Sequence, residues 1–90
     1  MPIKLTRQNC IFTKRFGKQF AKIDRVSQQA IGLKLVEILD EGEKANIKKL
    51  TNYPYADFRL KIGNYRILIH RDKKKDLYYL NDCRHRRDLY

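Results

Sequence analysis

The sequence predicts an α+β fold, because its hydrophobic periodicity changes once along the chain. Up to Glu41 the apolar residues recur every three to four positions, which is typical of amphipathic helices. From Phe58 onward they alternate with polar residues, which is typical of strands. Gly63 and Asn64 interrupt this second half and form a favoured two-residue hairpin turn. Helices followed by hairpin-connected strands indicate that the helices pack on one face of a largely antiparallel sheet.

The first half of the chain predicts a short strand and a two-helix hairpin. Residues 9–12 form a short apolar stretch, which we interpret as a first strand. Thr13 can cap a first helix, and Asp24 or Ser27 can cap a second one. The second helix is predicted over 26–41 by a wide apolar stripe, and Gly42 follows as the residue that ends it.

The second half predicts a three-stranded antiparallel meander. Strands are expected over 58–62, 65–70 and 77–80, with a lysine-rich turn before the last one. Residues 43–55, which precede the meander, are predicted to be a polar connector. The chain has no internal repeat and no linker, so we expect a single domain that spans residues 1–90.

The charge balance restricts the kind of partner. Lys and Arg number 21 and Asp and Glu number 10, which gives a formal net charge of +11. A field of this strength attracts nucleic acid, an anionic membrane or an acidic protein. No apolar run approaches the roughly 20 residues that span a bilayer, and the first residues are too polar for a secretory signal. We therefore expect a cytoplasmic protein, with Cys10 and Cys83 as free thiols.

The basic residues of the meander are placed to form a cluster. Because side chains alternate along a strand, Arg59 and Lys61 are expected on the face opposite the apolar residues of their strand. Arg66 lies just across the Gly-Asn turn and can share that face, and the basic tail 84–87 can add to it. Alternating basic residues are more often a solvated surface than a site. Converging cations repel one another, however, and a bound phosphate would relieve that repulsion.

Three segments of the chain resemble the RelE/ParE superfamily of bacterial toxins. They are FTKRF at 12–16, FRLKIGNYRI at 58–67 and HRRDLY at 85–90. Element order, length and charge agree with that superfamily over essentially the whole chain. The resemblance implies a sheet like that of microbial ribonucleases with two helices packed on it. It also implies a cognate antitoxin with an acidic helix and, in the RelE branch, cleavage of mRNA in the ribosomal A site.

The resemblance also assigns candidate catalytic roles. Lys61 stands at the position of the general base, and Arg66 at that of a phosphate-binding arginine. Arg86 corresponds to an arginine at the leaving group, and Tyr90 to a tyrosine that stacks on or positions the RNA. His85 matches a histidine that other members use in catalysis.

The chemistry of RNA cleavage supports these roles. The reaction must deprotonate the 2′-hydroxyl, stabilise charge on the phosphate and protonate the leaving 5′-oxygen. We expect crowding by cations to favour the neutral amine of Lys61, which is the form that can act as a base. An arginine is a poor proton donor near neutral pH, so His85 remains an alternative acid to Arg86. The substrate-binding residues are expected to be Arg59, Arg84 and Arg87.

No Asp/Glu cluster or Cys/His set suits a metal, so the sequence predicts neither a metal nor a cofactor.

Two other functions fit some of these features. The ParE branch has the same fold but inhibits DNA gyrase, and it lacks the basic catalytic set. A non-enzymatic RNA-binding or ribosome-associated protein would need the charge but not the order of residues in the tail.

Overall fold

The computed structural model describes residues 3–89. Its elements are β1 (Cys10–Phe12), α1 (Lys14–Ala21), α2 (Arg25–Glu41), β2 (Asn46–Lys49), β3 (Phe58–Ile62), β4 (Tyr65–Asp72) and β5 (Leu77–His85), followed by a 3₁₀ turn at Arg86–Asp88. The strands form one sheet in the order β1-β5-β4-β3-β2. β1 runs parallel to β5, and the other neighbours are antiparallel. The predicted α+β class is confirmed.

The helix ends follow the capping signals of the sequence. The hydroxyl of Thr13 accepts a hydrogen bond from the backbone N–H of Phe16 at 3.2 Å. The carboxylate of Asp24 accepts one from the backbone N–H of Ser27 at 3.0 Å, so Asp24 is the second cap. Gly42 ends α2 with a left-handed φ of 70°. Neither helix is long and apolar enough to cross a membrane.

Two parts of the prediction are corrected. The connector 43–55 contains β2, an edge strand in which Ile47 packs against the core while the other three residues are exposed. One apolar residue gives no alternation that the sequence could reveal. The last strand does not end at residue 80 but continues to His85, because the tail keeps pairing with β4.

The core lies between the helices and one face of the sheet. The helices contribute Phe16, Ile31, Leu35, Ile38 and Leu39. The meander contributes Leu60, Ile62, Ile67, Ile69, Tyr78, Leu80 and Cys83. We call the opposite side of the meander the helix-free face.

A β-bulge at Asn81 decides which residues of β5 face the core. Leu80 pairs with Ile69 and Asp82 pairs with Leu68, so Asn81 is an extra residue without a partner. The insertion reverses the alternation of side chains beyond it. In an unbroken strand Asp82 would share the core face with Leu80, but the bulge turns it to the helix-free face.

The two cysteines are free thiols, as expected. Burial raises the pKa of Cys83 to about 12. Burial likewise raises the pKa of Cys10 to about 11. Both thiols therefore stay protonated at neutral pH and are poor nucleophiles.

Glycine substitutions in and after α2 should have opposite effects on stability. Gly42→Ala forces a left-handed backbone on alanine, so the free energy of unfolding should fall by about 1–2 kcal/mol. Gly32→Ala, within the helix, should raise it by up to about 1 kcal/mol. A Cβ at either position meets no atom within 4 Å, so backbone conformation alone separates them. Urea denaturation followed by circular dichroism measures both, and equal shifts would contradict the assignment of the helix end.

Candidate active site

Strand pairing aligns three basic residues in one row across the sheet. Lys61 lies directly opposite Arg66, and Arg66 lies directly opposite Arg84. Side chains that are directly opposed in neighbouring strands point to the same face. Their chain neighbours Leu60, Ile62, Ile67 and Cys83 lie in the core. These three residues, the basic row, therefore lie on the helix-free face.

Arg59 extends this cluster by one step along β3. It is two residues from Lys61, so it points to the same face. It pairs with Leu68, which is buried but lies outside the core cluster. The strand register thus agrees with the expectation that Arg59, Lys61 and Arg66 share one face.

Arg66 is a buried arginine that is only partly satisfied. Its side chain is held at the β3–β4 turn, where Nη1 donates to the carbonyls of Gly63 at 2.9 Å and Tyr65 at 3.0 Å. The Nε of Arg66 and the Nε of Arg59 are buried and have no hydrogen-bond partner within residues 3–89. A buried donor without an acceptor costs about 1–3 kcal/mol. An anion bound on this face would supply the acceptors.

Asp82 orients two further arginines at this face. Its side chain is 5% exposed. Oδ2 accepts from Nε of Arg84 at 2.8 Å and from Nη2 of Arg15 at 3.4 Å. Oδ1 accepts from the backbone N–H of Cys83 at 2.9 Å. Asp82 therefore fixes Arg84 in the basic row and offsets part of the local positive charge.

The basic tail divides between the two faces of the sheet. Arg84 joins the basic row, whereas His85 pairs with Tyr65 on the side of the helices, with their ring centroids 5.3 Å apart. Nδ1 of His85 accepts from the backbone N–H of Arg87 at 3.3 Å, which caps the 3₁₀ turn. His85 therefore lies on the side of the helices, and it meets the basic row only at Arg84, with which it lines one groove.

Arg86 and Arg87 follow His85 in the 3₁₀ turn. The backbone N–H of Arg86 donates to the carbonyl of Asn64 at 2.7 Å, which places Arg86 beside the turn that holds Arg66. Arg87 is exposed and lines a groove with Lys22 of α1. Tyr90 lies outside the described residues, so its role stays a prediction.

Some residues of this face are missing from the sequence prediction. Arg15, Asp82, Tyr53 and Tyr55 were not among the candidates. A signal for Asp82 existed, because Asp82 and Arg84 are two residues apart and share a face in a strand. Ending the last strand at residue 80 hides this signal.

Sequence comparison and structural comparison give different results. No protein-family model matches the chain, and no curated protein matches its sequence. Solved structures do match. A chain of the RelB–RelE antitoxin–toxin complex from Methanococcus jannaschii is 26% identical with a TM-score of 0.66, and the match covers 89% of this chain and 94% of that one.

Two further structures have a similar fold at lower identity. The archaeal RelE–RelB complex from Pyrococcus horikoshii OT3 contains a chain 16% identical with a TM-score of 0.58, covering 87% of this chain and 93% of that one. The toxin–antitoxin complex RelBE2 from Mycobacterium tuberculosis contains one 17% identical with a TM-score of 0.64, covering 92% and 99%. The chain therefore has a RelE-like fold, which confirms the resemblance seen in the sequence.

Removing the charge of Asp82 should destabilise the protein. In Asp82→Asn one of the two oxygens that accept hydrogen bonds becomes a donor group, and it faces either an arginine or the backbone N–H of Cys83. We expect the free energy of unfolding to fall by about 1–3 kcal/mol, measured by urea denaturation. Asp88→Asn removes the same charge from an exposed side chain and should have little effect. Equal effects of the two variants would show that Asp82 does not hold the arginines.

Proposed function

We propose that this chain is the toxin of a type II toxin–antitoxin pair and an endoribonuclease that cleaves mRNA in the ribosomal A site. The observation that carries the proposal is the basic row, with two buried arginine Nε groups that have no partner within residues 3–89. The RelE-like fold supports it. Arginine donors without a protein acceptor suit a phosphate-binding site better than a solvated surface, where water would accept their hydrogen bonds.

The geometry of the row supports a division of labour around one phosphodiester. Arg66 and Arg59 donate through Nε to the non-bridging oxygens, which carry most of the charge that develops in the transition state. Lys61 is exposed, lies opposite Arg66 and accepts the proton of the 2′-hydroxyl in its neutral form. The 2′-oxygen then attacks phosphorus. The bond to the 5′-oxygen breaks, and the products are a 2′,3′-cyclic phosphate and a 5′-hydroxyl.

The position of the tail favours Arg86 over His85 at the leaving oxygen. Arg86 is tied by its backbone to the β3–β4 turn, next to Arg66. His85 lies on the other side of the sheet, and its Nδ1 is already an acceptor. An arginine there stabilises the departing oxygen by charge while water supplies the proton. Arg84 and Arg87 bind neighbouring parts of the RNA, and Tyr90 stacks on a base.

The openness of the site explains why the ribosome belongs to the proposal. The basic row lies on the side of the sheet opposite the core, so it contacts a substrate mainly from one side. Cleavage by the 2′-hydroxyl needs that oxygen in line with the leaving oxygen, and such alignment accounts for a large part of the rate. An mRNA held in the A site would arrive with its backbone already constrained. The net charge of +11 would favour association with ribosomal RNA.

Lys61 variants test whether the chain is this enzyme. Lys61→Ala should lower the cleavage rate by about 10² or more, because the general base is lost. Lys61→Arg should be almost as slow, since a guanidinium does not lose its proton near neutral pH. Primer extension on mRNA in translating ribosomes measures the rate, and the chemistry of the new 3′ end identifies the product.

Two controls make this experiment decisive. Lys73→Ala removes the same charge from an exposed turn and should cleave like the wild type. A parallel gyrase supercoiling assay tests the ParE-like alternative. Full activity of Lys61→Arg would show that Lys61 supplies charge alone. Gyrase inhibition with intact mRNA would overturn the proposal, and RNA binding without cleavage would indicate a non-enzymatic protein.

Variants of Arg86 and His85 should differ clearly in cleavage rate. We expect Arg86→Ala to lower the rate by about 10² or more, because the leaving oxygen loses its cation. His85→Gln should change the single-turnover rate little, since His85 lies on the opposite side of the sheet. Rate measurements across pH check this expectation. If His85→Gln instead loses most of its activity along with the decline of the rate at high pH, His85 is the acid.

An antitoxin partner is the second part of the proposal. The structural neighbours are toxin–antitoxin complexes, and a surface of charge +11 suits a protein with an acidic helix. Co-expression with the product of the adjacent gene should relieve growth arrest, and the affinity of the purified complex should fall as salt rises. Unchanged arrest together with no complex formation would contradict this pairing.

A further inference from the structure

The helix-free face holds a cleft of about 580 Å³ beside the basic row. Tyr53 and Tyr55, from the loop between β2 and β3, line it together with Leu68 of β4 and Arg84 of the basic row. The remaining lining residues are Asn81 and Asp82 of β5 and Arg15, which reaches Asp82 from the start of α1. Its volume falls within the roughly 300–1,000 Å³ that small-molecule sites occupy. Arg84 belongs both to this cleft and to the basic row.

Tyr55 is exposed, and the half-buried Tyr53 lies beside it. Their ring centroids are 5.6 Å apart and their planes are inclined by 76°, an edge-to-face arrangement. Tyr55 is 75% exposed, so packing within residues 3–89 does not account for it. Leu68 is buried at 5% exposure without belonging to the core cluster. The cleft therefore combines aromatic rings with an apolar surface.

The loop that carries the tyrosines is fixed at its base. The backbone N–H of Leu50 donates to the carbonyl of Asp57, and that of Asp57 donates to the carbonyl of Ile69, both at 2.9 Å. The carboxylate of Asp57 also accepts from the backbone N–H of Arg71 at 2.8 Å. These bonds attach the end of the loop to β4 and thus anchor the segment that carries the tyrosines.

We propose that this cleft binds one nucleobase of single-stranded RNA, next to the phosphate that the basic row binds. The base stacks on Tyr55, with Leu68 beneath it, since every base has an apolar face that stacks on an aromatic ring. Asn81 can pair with the base edge, because its amide both donates and accepts and the bulge sets it apart from the regular strand. Arg84, oriented by Asp82, joins the base to the adjacent phosphate. This inference rests on the proposed function.

A binding experiment with uncleavable RNA tests the cleft without requiring catalysis. The probes are a short 2′-O-methyl oligonucleotide and the same strand with abasic sites, titrated into the full chain by calorimetry. The wild type should bind the base-containing strand about tenfold more tightly. Tyr55→Ala should reduce this preference severalfold, Tyr55→Phe should retain it, and all three proteins should bind the abasic strand alike.

A matched control and a second readout keep the test independent of folding defects. Val26→Ala, on α2, alters a side chain of the same 75% exposure and should keep the preference. In the wild type, the base-containing strand should shift the ring resonances of Tyr53 and Tyr55 and leave that of Tyr78 unmoved. Equal wild-type affinity for the two strands, or a full preference in Tyr55→Ala, would overturn the inference.

The failure of this inference can be told apart from that of the proposed function. If the chain prefers the base-containing strand but leaves ribosome-bound mRNA intact, the base subsite is supported and the nuclease activity is contradicted. If the chain cleaves mRNA but binds both strands equally, the nuclease activity is supported and the base subsite is contradicted.

Discussion

The burial of Arg66 between Lys61 and Arg84 is the constraint on which this face of the sheet depends. Like charges on paired residues repel one another, and the repulsion grows where burial lowers the local dielectric. Strand pairing cannot relieve this repulsion, because the register that opposes these residues also places Leu60, Ile67 and Cys83 in the core. Moving a strand by one residue would separate the cations but would also expose the core.

The structure compensates for this repulsion at Arg84 but not at Arg66. At Arg84 a buried carboxylate, Asp82, accepts hydrogen bonds from two arginines. At Arg66 the partners are neutral carbonyls, and one Nε has no acceptor within residues 3–89. The cation that most lacks a negatively charged partner is therefore Arg66, at the centre of the basic row. We place the scissile phosphate at that centre.

The bulge at Asn81 makes this arrangement compatible with the core. Before it, Leu80 faces the helices; after it, Cys83 faces them while Asp82 and Arg84 face the opposite way. A regular strand would have placed a carboxylate and a guanidinium in the core, where unpaired charges are very costly. The same residue shapes the cleft in which we place the base. One inserted residue therefore serves stability, charge placement and the proposed substrate contacts.

The sequence was informative where local rules decide the outcome. The limits of β3, the Gly63–Asn64 turn and the end of α2 at Gly42 follow from periodicity and turn chemistry, and the structure agrees with them. The bulge breaks the period of two, so periodicity ends the last strand at residue 80. Because the predicted strand ends there, neither the role of Asp82 nor the orientation of His85 could be predicted. The position of the tyrosine loop depends on backbone contacts distant in sequence, which no local pattern reports.

The central claim is that the unsatisfied arginines form a phosphate site, and arginine Nε–H resonances observe it directly. An uncleavable dinucleotide with a 2′-O-methyl group supplies the phosphodiester in a nuclear magnetic resonance titration of the full chain. The account predicts saturable downfield shifts for the Nε–H groups of Arg66 and Arg59, as each gains a charged acceptor. Unchanged Nε–H resonances at these two residues, with shifts confined to exposed lysines and arginines elsewhere, would contradict it.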